Sequence, residues 1–290
     1  GRFDQYMMPY LQRDLETGTS TEADAEEWLA EFFISLNRDS DLYPGVQQGD
    51  NGQSLMLGGV TPAGGCGVNA LTHMVLRVAC EANMIDPKIN LRVDRDTDLS
   101  LLELAASLTR RGLGFPQYSN DDAVIPGLVR HGYGLEDARD YTVAACWEYC
   151  IPGKGMDVVN IGAVSLPAAV QAGVEKTLGR GDSFERLLDE IKCDIHAQVQ
   201  SRVAAYRGLI LPPAPWYSVL MSDCLERGRD LSTGATYNNF GLHAACSADA
   251  ADALAAVKRF VYDERAVDPL QLLAALAHDW CGFEALRETM

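Results

Sequence analysis

The stretch Thr142-Val-Ala-Ala-Cys-Trp-Glu-Tyr-Cys-Ile-Pro-Gly-Lys-Gly155 places a cysteine and a carboxylate two residues apart, at Cys146 and Glu148. Apolar residues precede the pair and a Pro-Gly turn follows it, so the pattern predicts a short buried strand, 143–146, that runs into a loop. In such a loop one side chain can take a hydrogen atom while the other takes or gives a proton. We therefore expect both side chains to face one cavity.

Three other interpretations of this stretch are possible. A cysteine in an apolar strand is most often a small core residue. Cys146 and Cys150 are four residues apart, but a thiolate zinc site normally recruits four ligands and no histidine or further cysteine lies close by in the sequence. A cysteine–histidine hydrolase would need a base from elsewhere, and no local signature selects one of the five histidines, which are His73, His131, His196, His243 and His278.

Composition excludes several classes of protein. The 290 residues carry a formal net charge of −17, which argues against sequence-independent nucleic-acid binding and against anionic membrane surfaces. The eight cysteines form no C-x-x-C pair and suggest a reducing compartment. The first residues lack a signal-peptide pattern, and no apolar run approaches the roughly 20 residues that span a bilayer. We expect a cytoplasmic protein.

Hydrophobic periodicity predicts an α/β architecture with parallel strands in a single domain, 1–290. Strands are predicted at 55–57, 89–93 and 143–146, with 115–120 as a strand or loop, and 234–241 is predicted as a polar loop. The predicted helices are 21–37, 69–84, 99–111, 123–131, 165–178, 183–206, 213–227, 248–260 and 269–276.

The glycine-rich stretch from Gly58 to Gly67 could suggest a phosphate-binding loop. It lacks the G-K-[ST] ending of a P-loop and the G-x-G-x-x-G order of a dinucleotide fold. We therefore expect a tight connection between a strand and the following helix.

An ordered set of motifs runs along nearly the whole chain and resembles the glycyl radical enzyme family, to which pyruvate formate-lyase belongs. The matching segments are Gly1-Arg-Phe-Asp-Gln-Tyr6 with Pro9-Tyr10, the Gly58–Asn69 turn, Phe115-Pro-Gln-Tyr-Ser-Asn-Asp121, Ile125-Pro126, Gly134-Leu-Glu-Asp-Ala-Arg-Asp-Tyr141, the Cys146 loop, Pro213-Ala-Pro-Trp-Tyr217, Asp223-Cys-Leu-Glu-Arg-Gly228 and Gly234-Ala-Thr-Tyr-Asn-Asn239.

The resemblance implies a fold and a chemistry. The family's fold is a ten-stranded α/β barrel, of which this chain would supply about one half with surrounding helices. The family's thiyl-forming cysteine matches Cys146. Pyruvate formate-lyase has two adjacent cysteines, whereas Trp147 follows Cys146 here, so the C-x-E pattern resembles the family's dehydratases and C–N or C–S lyases. Glu148 would then be the general acid/base.

The resemblance also implies further site residues and partners. Asn120, Asp121 and Asn160 are predicted to bind a small-molecule substrate, from their position relative to the loop. Trp147, Tyr149 and Cys150 depart from the family's common GCVEP form, so the substrate stays open. No bound organic cofactor and no metal is expected. A separate radical S-adenosylmethionine activase would install the glycyl radical, and the enzyme would be a homodimer.

The sequence lacks a match to the family's radical-bearing motif, R-V-x-G-Y/F. The nearest string, Arg202-Val-Ala-Ala-Tyr206, has Ala205 in place of the glycine and sits in a helical pattern. We expect the family's N-terminal part and its C-terminal glycyl radical domain to be absent, so 1–290 alone should be inactive. The competing hypothesis is a truncated, non-catalytic relative that binds a ligand or partner, and a radical motif downstream in the parental gene would discriminate.

Overall fold

Strands alternate with helices along the first part of the chain, as the periodicity predicts. The computed structural model describes residues 1–38, 52–144, 148–158 and 160–290. Its strands are β1 (Ser54–Gly58), β2 (Lys88–Val93), β3 (Gln117–Asn120), β4 (Thr142–Ala144), β5 (Glu148–Cys150), β6 (Gly155–Val158), β7 (Ala163–Ser165), β8 (Tyr237–Phe240) and β9 (His243–Ala245).

Helices alternate with these strands along the chain. They are α1 (Phe3–Glu16), α2 (Glu22–Leu36), α3 (Ala70–Ala82), α4 (Leu99–Thr109), α5 (Asp121–Arg130), α6 (Leu135–Arg139), α7 (Leu166–Thr177), α8 (Phe184–Ala205), α9 (Pro215–Ser218), α10 (Cys224–Arg227), α11 (Leu231–Gly234), α12 (Ser247–Val257), α13 (Pro269–Ala277) and α14 (Glu284–Thr289). A 3₁₀ turn, Leu178–Arg180, follows α7, and a π-helical segment, Lys258–Asp263, follows α12.

The central sheet is parallel, in the order β1-β2-β3. Helix α3 connects β1 to β2 and α4 connects β2 to β3, so two successive strand–helix–strand units build it. The register aligns Gly58 with Arg92 and Arg92 with Ser119. All three strands therefore end at one edge, where parallel α/β sheets usually place their functional groups.

The two faces of this sheet bury different residues, because successive side chains of a strand point to opposite sides. Leu57, Ile89 and Leu91 pack with the helices in the main apolar core. Arg92 alternates with them and is nevertheless fully buried. Met56 packs in a second cluster with Tyr141, Val143 and Ile151. The second face of the sheet is therefore covered as well.

Polar side chains cap the starts of several helices. Thr21 and Asp24 form a capping box at α2, and Asn69 and Thr72 form another at α3. Asn120 caps α5 by accepting a hydrogen bond from the Asp122 N–H group. These caps satisfy backbone donors that a helix leaves unpaired. The turn after β1 therefore leads into α3, and β3 continues directly into α5.

The chain divides into two compact units, which are described separately. The first comprises residues 1–157 and 214–238, and the second comprises 158–213 and 239–290. In the second unit, α7, α8, α12 and α13 bury a core that includes Val174, Leu187, Ile191 and Leu272. The parallel pair β7–β9 belongs to this unit.

Two predicted elements are wrong. The helix predicted over 213–227 is two short helices, α9 and α10, because the Ser222 N–H donates to the Gly153 carbonyl instead of continuing a helical ladder. The polar loop predicted at 234–241 contains the strand β8, which pairs with β6. Both corrections come from contacts with residues far away in sequence.

Candidate active site

The predicted catalytic stretch contains a short antiparallel hairpin. β4 pairs with β5 so that Ala144 opposes Glu148 and Thr142 opposes Cys150. Cys146 lies in the segment 145–147, outside the described residues. Glu148 was expected on a loop, but it is the first residue of β5. The described part of the strand predicted at 143–146 lies in β4, which begins one residue earlier, at Thr142. The hairpin thus fixes the backbone on both sides of the predicted cysteine.

The hairpin has an apolar face and a mixed face. Paired residues share a face, so Tyr149 and Val143 point to one side, where both pack in the Met56 cluster. Glu148 and Cys150 point to the other side, and both are half-buried. Thr142 shares that side, and its buried hydroxyl has no hydrogen-bond partner among the described residues. The predicted acid/base therefore lies on a partly buried polar face.

The Cys150 thiol, which shares this face of the hairpin with Glu148, is held in its protonated form. Burial, reinforced by the carboxylates of Asp157 and Glu148, raises the pKa of Cys150 to about 11. A neutral thiol is a poor nucleophile and a poor metal ligand. In the described ranges, no group of three or more histidine, cysteine, aspartate or glutamate residues is arranged to hold a metal ion.

A buried ion pair lies at the base of the hairpin. Arg92 Nε donates to Asp121 Oδ1 at 2.8 Å and Arg92 Nη2 donates to Asp121 Oδ2 at 2.9 Å. Their side chains are 0% and 3% exposed. The Tyr141 hydroxyl donates to Asp121 Oδ1 at 2.7 Å, and the Val60 N–H donates to Oδ2 at 2.9 Å. The bidentate pairing with Arg92 and the two further donors offset the desolvation cost of burying the Asp121 carboxylate.

The three predicted substrate-binding residues are placed differently from one another. Asp121 already accepts four hydrogen bonds, so a substrate contact through it would have to replace one of them. Asn120 is exposed, and its side chain caps α5. Asn160 is exposed in the second unit, and its Oδ1 accepts from the Gly162 N–H group at 3.2 Å. Asn120 and Asp121 lie together at the end of β3.

The glycine-rich turn folds around arginine side chains, as a tight connection between β1 and α3. A Cβ atom on Gly59, where φ is +71°, would lie 2.4 Å from Arg92 Nε and 2.7 Å from Asp121 Oδ2. A Cβ atom on Gly67 would lie 2.8 Å from the Gly59 carbonyl and 3.1 Å from Arg2 Nη2. The glycines are needed because charged side chains and backbone approach closely.

The first motif of the chain holds this turn in place. Arg2, which is 4% exposed, donates to the carbonyls of Gly58 and Val60 and pairs with Asp140 at 3.0 Å. Asp4 is fully buried and accepts from the Gly58 N–H group. Burial raises the pKa of Asp4, although hydrogen bonds to its carboxylate oppose the change. These polar residues are structural elements of the site.

The 214–238 segment meets the end of the catalytic stretch. The Tyr237 ring stacks on Tyr133 at 4.3 Å between centroids, and its hydroxyl donates to Asp137 at 2.7 Å. Lys154 also bonds Asp137, and its carbonyl accepts from the Tyr237 N–H group. The motifs that are far apart in sequence therefore converge around the hairpin within the first unit.

The sequence did not single out Arg92 or Tyr141 as parts of this site. A signal was present in Ile89-Asn-Leu-Arg-Val93, where polar Asn90 and Arg92 alternate with apolar residues in a strand between two predicted helices. Such a strand is buried on both faces, and a buried arginine needs a carboxylate partner. The identity of that partner, 29 residues away, is not a local property.

An open apolar groove lies elsewhere in the first unit. Its volume is about 440 Å³, and α1, α2, the connection between them and α3 line it. Tyr6, Tyr10 and Trp28 on its walls are more than half exposed.

Within the described part of the chain, no helix combines the length and apolar composition needed to cross a membrane.

The chain resembles known proteins along its whole length. The model of a family described as pyruvate formate lyase-like matches residues 1–185 and 196–290. The chain is 30% identical to (2S)-3-sulfopropanediol dehydratase of Klebsiella oxytoca, over 99% of this chain and 38% of that protein. It is 27% identical to trans-4-hydroxy-L-proline dehydratase of Clostridioides difficile, over 99% and 40% respectively.

The fold agrees with these similarities. The structure matches the glycerol-bound, B12-independent glycerol dehydratase from Clostridium butyricum with a TM-score of 0.81 at 29% identity, over 98% of this chain and 39% of that one. The prediction of an α/β fold of the glycyl radical enzyme type, present in part, is therefore confirmed. The chain spans about two fifths of the length of the relatives that it matches.

Proposed function

This chain belongs to the pyruvate formate lyase-like family, and we propose that it is the cysteine-bearing portion of a glycyl radical dehydratase or C–N/C–S lyase. In this proposal Cys146 becomes the hydrogen-abstracting thiyl and Glu148 is the general acid/base. Asn120 and Asn160 are proposed substrate contacts, whereas Asp121 serves by holding the hairpin.

The position of Glu148 supports this proposal most. It is the first residue of β5 and turns its side chain away from the apolar Tyr149 face, two residues after Cys146. A carboxylate fixed by strand pairing can meet a substrate proton with little reorganisation, which is what general acid–base catalysis requires. The relatives named above are dehydratases, a reaction in which a proton must reach the departing hydroxyl.

The proposed substrate is a small polar molecule with a leaving group on the carbon next to the attacked C–H bond. A stored glycyl radical would supply the acceptor for the hydrogen atom of the Cys146 thiol, so that a glycine C–H bond forms as the S–H bond breaks. The Cys146 sulfur then takes a hydrogen atom from the C–H bond, which forms S–H and a carbon radical. Glu148 gives its proton to the departing hydroxyl and takes a proton from the hydroxyl on the radical carbon. The product radical takes the hydrogen atom back from Cys146, so the balance is loss of one water.

The remaining elements of the proposal concern activation and assembly. The radical glycine would be supplied from outside 1–290, since the string ending at Tyr206 has Ala205 within α8. A separate radical S-adenosylmethionine activase would install the radical, and two copies would form a homodimer. Both follow from the family resemblance.

Replacing Cys146 by serine tests the function in a polypeptide that contains 1–290 together with the glycine that carries the radical, called here the radical-carrying polypeptide. Cys146→Ser should abolish elimination from small vicinal diols such as glycerol, because an O–H bond is much stronger than an S–H bond. The glycyl radical signal in electron paramagnetic resonance should persist. Cys193→Ser, at an exposed position on α8, is the matched control and should eliminate at the parental rate. Product formation by Cys146→Ser would contradict the proposal.

A further inference from the structure

We propose that Tyr141, Asp121 and Arg92 form a positioning clamp that sets where the β4–β5 hairpin holds Glu148. The inference rests on the proposed function for its catalytic meaning, but the clamp itself can be tested without any reaction. None of the three residues needs to touch a substrate in this role.

The hairpin is too short to hold itself. Among the described residues its strands form three residue pairs, and a two-stranded hairpin is marginally stable at best in water. Its position must therefore come from what it packs against. Tyr141, the residue immediately before β4, is 0% exposed, and it connects the hairpin to the buried ion pair.

Tyr141 is held at three points. Its hydroxyl donates to Asp121 Oδ1 at 2.7 Å, and its carbonyl accepts from Arg92 Nη1 at 3.3 Å. The Arg92 guanidinium carbon lies 4.0 Å from the centre of the Tyr141 ring, within the range of a cation–π contact. Ring, hydroxyl and backbone are thus fixed by one buried pair, which leaves the start of β4 little freedom.

The clamp reaches Glu148 through Tyr149. The rings of Tyr141 and Tyr149 meet edge to face with centroids 5.1 Å apart. Because neighbouring side chains in a strand point to opposite sides, fixing Tyr149 on the apolar face fixes Glu148 on the other. A shift of one residue in the pairing would turn Glu148 into the apolar cluster. The clamp therefore sets both the position and the side of the proposed acid/base.

The clamp has its own supports in three other elements. Asp121 is the first residue of α5, Arg92 lies on β2, and the Val60 N–H group that completes the carboxylate's bonding follows β1. Each of the four hydrogen bonds to the Asp121 carboxylate comes from a separate N–H or O–H group. Removing one of these donors therefore leaves the other three in place. This permits a mild substitution that tests positioning without destroying the ion pair.

Tyr141→Phe is that substitution. It removes the hydroxyl bond to Asp121 and retains the ring contacts with Arg92 and Tyr149. In the 1–290 chain, hydrogen exchange at the amides of 142–144 and 148–150 should accelerate by about 10- to 100-fold, because a hydrogen bond to a charged group is lost. Amides of β2 should change by less than about twofold. Tyr118→Phe, whose hydroxyl meets Thr109 on an exposed surface, is the control and should leave the hairpin unchanged.

The possible outcomes separate a clamp from a general stabiliser. If exchange at β2 accelerates as much as at the hairpin, Tyr141 supports the whole unit and the proposal is overturned. If neither changes, the hydroxyl positions nothing, and the proposal is overturned as well. Asp121→Asn provides a second variant, which retains the shape but removes the carboxylate charge that pairs with Arg92, and it should open the hairpin further than Tyr141→Phe does.

A catalytic readout is available in the radical-carrying polypeptide. Tyr141→Phe should lower kcat by about 10- to 100-fold, as small displacements of catalytic groups do, with KM and the glycyl radical signal unchanged. An unchanged kcat with a loosened hairpin would refute the positioning role. A parental enzyme without any elimination activity would refute the proposed function instead, and the exchange result would still decide the clamp.

Discussion

Replacing Gly59 by alanine should destabilise the first unit by disrupting the Arg92–Asp121 pair. The added Cβ atom would lie 2.4 Å from Arg92 Nε and 2.7 Å from Arg92 Cβ. Real Cβ atoms do not approach so closely, so the arginine would have to move away. The atom that it approaches most closely is itself a donor to Asp121, and the movement would break that bond.

The expected loss in free energy of unfolding for Gly59→Ala has two parts. Alanine at a positive φ costs about 1–2 kcal/mol, and breaking a buried ion pair costs about 3–5 kcal/mol. Gly18→Ala isolates the first part, because Gly18 has a φ of +68° and its added Cβ atom would meet nothing within 4 Å. The excess destabilisation of Gly59→Ala over Gly18→Ala should therefore be about 3–5 kcal/mol.

Native-state hydrogen exchange of the Leu91 amide measures the free energy of opening of this unit, because Leu91 lies fully buried at the centre of β2. Both variants should lower it, and Gly59→Ala should lower it far more. Equal effects of the two substitutions within about 1 kcal/mol would refute the argument that this glycine is needed to accommodate the ion pair.

Two further predictions concern titration. Since the pKa of Cys150 is about 11, only about one Cys150 thiol in 10³ is ionised at pH 8. In a mass-spectrometric time course, iodoacetamide should therefore label the exposed Cys193 long before Cys150. Equal labelling rates would contradict the argument that burial keeps Cys150 protonated. Burial raises the pKa of Asp4 above its ordinary value of 3.8, so the folded state retains this proton to higher pH than the unfolded state. The free energy of unfolding, measured by urea titration and compared with that of Asp4→Asn, should therefore fall as the pH rises above about 3.8. A rise in this difference would be inconsistent with the burial of Asp4.

Local pattern was sufficient for much of the fold. The helix α3 and the strand β2 were predicted within two residues of their observed ends, because the apolar periodicity and the turn between them agree. The helix α1 was not predicted, since its residues were interpreted only as a motif. The strand β8 was predicted as a loop because Tyr-Asn-Asn-Phe has no strand pattern, and only pairing with β6 makes it one.

The candidate site divides in the same way. Cys146 and Glu148 are two residues apart, so their sequence pattern alone suggests the chemistry. The roles of Asp121 and Arg92 depend on a contact across 29 residues, and a sequence without an alignment does not reveal which buried charges meet. The role of Asp121 as a substrate contact stays a prediction, and the four hydrogen bonds that its carboxylate accepts are visible only in the structure.

Separating the acid/base role of Glu148 from radical storage tests the central claim most directly. Glu148→Gln in the radical-carrying polypeptide retains the shape of the side chain and removes its titrating proton. The glycyl radical content should equal that of the parent, while the rate of product formation should fall by about 10²–10⁴-fold. Glu136→Gln, at an exposed position on α6, should match the parent in both measurements. A Glu148→Gln enzyme that eliminates at the parental rate would contradict the account.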